Sequence, residues 1–190
     1  MRNFGVTPNR KRAAHRGFSL IEAMFAIAIL GIGLCALMAM FGSAVYAMQY
    51  AQEDQIAKQK AREALEAAIS ARNDTAITFD DLQNVSNGGI FKDGFQMLYL
   101  AGDNGIPGTG HDTSILDRVV FPGPDGKLGT DDDVFVPLSN YRRQILISPV
   151  YNNDNSLNTD MRKITVTVRV DSAKRGAHDY VVSAFISRFN

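Results

Sequence analysis

Residues 16–34, RGFSLIEAMFAIAILGIGL, decide how this chain folds. The stretch opens as a membrane helix does, yet Glu22 stands among Phe18, Leu20, Ile21, Ala23, Met24 and Phe25. A carboxylate in that setting is costly in lipid and needs a partner. From Ala23 to Val45 no residue is charged, a run of 23. About 20 apolar residues cross a hydrocarbon core of about 30 Å. A secretory signal has a shorter apolar region, roughly 7–15 residues, followed by small residues at a cleavage site. The run is too long for that and predicts a membrane span.

Upstream lie Arg2, Arg10, Lys11, Arg12 and Arg16 with no acid among residues 1–17. Basic residues flanking a span stay on the cytoplasmic side, so the N-terminus is expected in the cytoplasm and the rest outside it. Removing this tip leaves fifteen basic against twenty acidic residues. A mildly acidic body argues against nucleic-acid binding by the head. The 190-residue chain holds one cysteine, Cys35, within the apolar run, so no internal disulfide forms. A lone thiol there reads as a small apolar residue.

After Val45 the composition changes without a break. Tyr46 to Asn73 contains no Pro or Gly and is rich in Ala, Glu, Gln and Lys, which are strong helix formers. Ala57, Ala61, Ala64, Leu65 and Ala68 fall on one helical face, extended back by Tyr50 and Tyr46. One helix is therefore predicted from about Ser19 to about Ala71, roughly 75–80 Å at ~1.5 Å per residue. Its first half is apolar all round and its second half amphipathic.

Residues 73–95 read as loop, with turn signals at Asn87-Gly88-Gly89 and Asp93-Gly94. Strands are expected at Gln96–Ala101, Ile115–Phe121, Val134–Leu138, Arg143–Ser148, Met161–Val170 and Asp179–Arg188. The polar connection Asp171–His178, with Gly176, suits a hairpin. The fold class is α+β: a long N-terminal helix whose amphipathic half packs on an antiparallel β-sheet head. The organisation expected is a basic leader over 1–17, a span over 18–45 and a head over 46–190.

Two acidic loops repeat at an offset of 21 residues, Gly102–Asp112 and Gly123–Asp133. Both place Asn or Asp at the third position, Gly at the fourth, Gly-Thr at the seventh and eighth, and Asp at the last. Carboxylates alternating with glycines suit a hard cation, since Ca²⁺ takes 6–8 oxygen ligands at about 2.3–2.6 Å. Asp125, Asp131, Asp132 and Asp133 are the candidate ligands in the second loop. Asp103, Asn104 and Asp112 are those in the poorer first loop. The alternative is a pair of solvated turns, because Asp, Asn and Gly are also turn residues. The EF-hand spacing is absent, and an oxygen-rich set with only His111 does not suit zinc.

No catalytic signature emerges. His15, His111 and His178 have no nucleophile motif beside them, and no phosphate loop or dinucleotide fingerprint is present. They read as surface histidines. Asp80-Asp81 reads as a solvated turn or cap, and Tyr141-Arg142-Arg143 as edge-strand protection.

The junction Arg16-Gly17-Phe18-Ser19-Leu20-Ile21-Glu22 resembles the processing signal of type IV pilins and the related secretion pseudopilins. The resemblance covers Met1 to about Ala71. It implies that a prepilin peptidase of the inner membrane cuts between Gly17 and Phe18 on the cytoplasmic side and N-methylates Phe18. The mature subunit would join other pilin subunits through its apolar helix in a pilus or pseudopilus. Glu22 would pair there with a neighbour's amino terminus. Ile29–Leu34 looks like the pilus modification and minor-pilin branch. The helix lacks the mid-length proline of many major pilins, and the head lacks their C-terminal disulfide loop. Both departures favour a minor pilin or pseudopilin, a structural subunit and not an enzyme. Two rivals are a single-pass anchored calcium-binding protein with an adhesive or partner-binding head, and an anchored hydrolase with structural calcium.

Overall fold

The structure, a computed structural model, describes residues 19–189. Helix α1 runs Leu20–Asn73, 54 residues, close to the predicted limits. By contacts the chain divides into two compact units, Met1–Met48 and Gln49–Asn190.

In the first unit every large apolar side chain of α1 is exposed, from Leu20 to Met48. Among the described residues α1 is the one helix long and apolar enough to cross a membrane. Gly31, Gly33 and Gly42 have open space where a Cβ would stand, so packing against the described residues does not require them. Small residues on an apolar helix let another helix approach closely. The Ser43 hydroxyl donates to the Ala39 carbonyl at 3.2 Å, which keeps its polar atom satisfied within the apolar run.

In the second unit α1 continues with Ala57, Ala61, Ala64, Ala68 and Ala71 buried. Their i, i+4, i+7, i+11, i+14 spacing lines one face. That face belongs to the same core as the inward side chains of the main sheet. The sheet order is β1-β4-β5-β6, where β1 is Gln96–Met97, β4 Tyr141–Tyr151, β5 Leu157–Ser172 and β6 Gly176–Ser187. All neighbours are antiparallel. Ile145 and Ile147 of β4, and Ile164, Val166, Val168 and Val170 of β5, point to the core, as strand alternation requires. The β5–β6 hairpin closes at Ser172 opposite Gly176, whose φ of 78° is open to glycine at no steric cost.

A separate hairpin pairs β2, Arg118–Phe121, with β3, Val134–Pro137. The second acidic loop is its tip. The strand expected over Gln96–Ala101 stops at Met97. Beyond it the backbone bonds residues 113–117 irregularly, with Leu100 N–H to Ile115 O at 3.0 Å and Asp117 N–H to Leu98 O at 2.8 Å. Leu98 is buried, and this segment takes its backbone partners from residues 113–117.

The Tyr141-Arg142-Arg143 cluster is not edge protection along its length. Arg142 faces out, while Tyr141 and Arg143 point into the core.

Candidate functional site

Gly17 and Phe18 lie outside the described residues. Glu22 sits in the first turn of α1 and is exposed. A carboxylate in the first helical turn is favoured by the macrodipole. The collar around it, Leu20, Ile21, Met24 and Phe25, is also exposed. The helix start thus presents one acid in an apolar surface.

The two acidic loops fold alike and share a set of turn-closing hydrogen bonds. Gly105 N–H donates to Gly102 O at 2.9 Å, and Gly126 N–H to Gly123 O at 3.0 Å. Asn104 Oδ1 accepts from Ile106 N–H at 3.1 Å, and Asp125 Oδ1 from Lys127 N–H at 2.8 Å. Thr109 Oγ1 donates to Ile106 O and Thr130 Oγ1 to Lys127 O. Asp112 accepts from Gly108 N–H at 3.0 and 3.1 Å, and Asp133 Oδ2 from Gly129 N–H at 2.7 Å. Gly102 and Gly123 are required by close approach, because a Cβ would collide with the carbonyl oxygens of His111 and Asp132 respectively.

The carboxylates predicted as ligands are thus engaged in closing the turns. Asp132 accepts from Thr130 Oγ1 and Asp125 N–H, and these two donors hold its carboxyl below the usual carboxylate range. Asp103 and Asp131 are outside this network. Among the described residues no group of three or more His, Cys, Asp or Glu side chains is placed to hold a metal ion. The loops differ where Asp132 replaces His111, and in Asp133 Oδ1, which is buried with no hydrogen-bond partner.

The surroundings differ more. The first loop is sunk into the head, with Ile106, Pro107, Gly108 and Thr109 buried. Lys92 N–H donates to Gly108 O at 2.8 Å, and Ile145 and Arg143 lie beneath Gly108. Arg143 is only 4% exposed. Burial lowers its pKa, opposed by the charges of Asp112, Asp117 and Glu63. The second loop is exposed along nearly its whole length.

Ion pairs that sequence reasoning missed tie α1 to the sheet side. Lys60 Nζ stands 2.7 Å from Asp117 and 3.0 Å from Glu63. Desolvation pulls its pKa down, but the two carboxylates prevail and raise it above 10.5. Asp54 takes both Arg175 Nη1 and His178 Nε2 at 2.9 Å. Burial opposes ionisation there, but hydrogen bonds from Tyr180, His178 and Arg175 keep the Asp54 carboxyl below its ordinary value. His178 is therefore a paired, largely buried side chain, not the free surface histidine expected. No local signal marks these pairs, since Lys60 and Asp117 lie 57 residues apart and Arg175 and Asp54 lie 121 apart. Asp80 and Asp81 are structural too. Asp81 caps Thr78 at 2.7 and 2.8 Å, and Asp80 pairs with Arg188 and Arg162.

Comparison with curated proteins and with solved structures returns no match for this chain. A family model does match its N-terminal region. Residues 12–45 fit the prokaryotic N-terminal methylation motif, spanning the basic flank, Gly17, Phe18, Glu22 and the exposed apolar turns of α1. The chain thus carries, at residues 12–45, the type IV prepilin signature.

Proposed function

We propose that this chain is a prepilin-like structural subunit of the minor-pilin or pseudopilin type. Prepilin peptidase cuts between Gly17 and Phe18 and methylates Phe18. The mature subunit then leaves the inner membrane for a type IV pilus or pseudopilus. The observation that carries this reading is Glu22 in the first turn of a helix whose large apolar side chains from Leu20 to Met48 are all exposed, within the matched motif. Cleavage after Gly17 creates an amine one helical turn from Glu22. Pairing Glu22 with a neighbour's amine offsets the several kcal/mol that an unpaired buried carboxylate costs. Mass spectrometry of the membrane-extracted chain is expected to find methylated Phe18 at the N-terminus, and an intact Met1 chain overturns the reading. Glu22→Ala is expected to insert in the membrane normally and fail to enter filaments.

A second reading concerns the second loop alone. Asp133 Oδ1, buried and unbonded, supports a structural Ca²⁺ there, with Asp125, Asp131 and Asp132 as the loop's other candidate carboxylates. A bound ion stabilises the folded state by mass action. Chelator is then expected to lower the melting temperature of a fragment lacking residues 1–45, and Asp133→Ala to abolish that response where Asp93→Ala does not. An unchanged melting temperature counts against calcium.

A further inference from the structure

The first loop shows what surface this loop fold docks by. Its face Ile106-Pro107-Gly108-Thr109 is buried against Lys92, Arg143 and Ile145 of the same head. The second loop shares its turn-closing hydrogen bonds, but on its equivalent face Lys127, Leu128 and Gly129 are exposed and Thr130 only half-buried. Leu128, in the place of buried Pro107, is 65% exposed. The hairpin behind it also exposes Phe121, Val134 and Phe135. Val119 of the hairpin packs on the core, and the apolar side chains it leaves outside form the kind of exposed patch that takes a partner. Its tip is acidic, with four aspartates against Lys127 between Gly123 and Asp133.

The complementary surface is on the same head. The outward face of the main sheet exposes Leu146 by 47%, Val181 by 59% and Phe185 by 61%. Lys163 stands directly opposite Phe185 in the β5–β6 register and makes no ion pair among the described residues. The other charges on this face are matched: Arg169 with Asp179 at 2.7 Å and Arg142 with Asp171 at 3.5 Å. An apolar patch with one unmatched cation thus faces out, and an apolar arm with an excess of acid faces out elsewhere. Asp131 is the acid free for this contact, because the loop's own hydrogen bonds leave it out.

We propose that the tip of the β2–β3 hairpin of one copy seats on the outward sheet face of a second copy, Leu128 against Leu146 and Phe185 and Asp131 against Lys163. Two different patches of one chain make a heterologous contact, which propagates a filament where its rotation does not close into a ring. The inference rests on the assembly reading above and names the head surfaces that it uses.

Disulfide trapping tests it on the full chain in its host cells, with Cys35→Ala in every variant. Leu128→Cys with Phe185→Cys is expected to give a ladder of trimers and longer species, whereas either substitution alone gives dimers at most. Leu128→Cys with Glu66→Cys on α1 is expected to give no ladder. Lys163→Glu is expected to lower the ladder about fivefold, the upper range for one surface pair, and adding Asp131→Lys to restore it. Absence of the ladder overturns the contact, as does a ladder that Lys163→Glu leaves unchanged or that the Glu66 pair reproduces. Sheared filaments are scored on the same cells. Filaments without the ladder overturn this contact alone, and neither filaments nor ladder overturns the assembly reading with it.

Discussion

Asn84 is a buried side chain that takes the place of a missing strand. β1 covers β4 only at Arg142 and Arg143, which leaves the next part of that edge without backbone partners. Asn84 Nδ2 donates to Ile145 O at 2.8 Å, and its Oδ1 accepts from Ile147 N–H at 2.9 Å. A closed loop holds it there, with Val85 N–H to Phe91 O at 2.8 Å and Phe91 N–H to Gln83 O at 3.1 Å. Asn84→Ala leaves a donor and an acceptor of β4 unpaired beside buried Ile145 and Ile147. Each such group costs about 1–3 kcal/mol, so a loss of about 2–6 kcal/mol is expected. Asn84→Asp keeps the acceptor for Ile147 but cannot donate to Ile145, and it buries a charge, so it should do no better. Urea unfolding of the Gln49–Asn190 unit, followed by circular dichroism, measures this. Asn153→Ala in the exposed turn is the control, expected within about 0.5 kcal/mol. A loss below about 1 kcal/mol for Asn84→Ala refutes the edge-completing role.

Asp112→Ala should cost about 2–4 kcal/mol, because it frees Gly108 N–H and removes a charge facing buried Arg143. Asp133→Ala in the exposed sister loop should cost under about 1 kcal/mol in chelator, and equal losses would refute the difference in setting. Gly102→Ala should destabilise by about 2 kcal/mol or more through its collision with the His111 carbonyl, while Gly110→Ala, with open space around it, should be near neutral. Stability should also fall in alkali. Lys60 is held above 10.5, and Tyr141 is pushed up to about 12, first by burial and then by Glu53 and Asp54. Both groups hold their protons more tightly folded than unfolded, so their contribution is full below about pH 10 and is lost as pH rises toward 12. A urea midpoint that stays flat from pH 9 to 12 would refute this.

Much of the fold was legible because it is written in short-range patterns. The unbroken helix Leu20–Asn73 follows from a stretch without proline and an alanine face at helical spacing, and β5 from its alternating valines. The membrane motif is contiguous, so Glu22 could be read against its own neighbours. The paired loops were legible as a repeat, and their matching hydrogen bonds close within eleven residues, which is why both copies fold alike.

What the sequence by itself determined is therefore local: the helix, the strands, the two loop conformations and the prepilin junction. Tertiary structure alone decided what those pieces face. It sank the loop at Gly102–Asp112 into the core and left its sister at Gly123–Asp133 in solvent. It turned Arg143 inward and Arg142 outward, ended β1 at Met97 and lent Asn84 to the edge of β4. It also joined Lys60 to Asp117 and Asp54 to His178. The physical reason is that a turn's hydrogen bonds are satisfied by its own residues, whereas burial and ion pairing depend on groups brought together from distant parts of the chain.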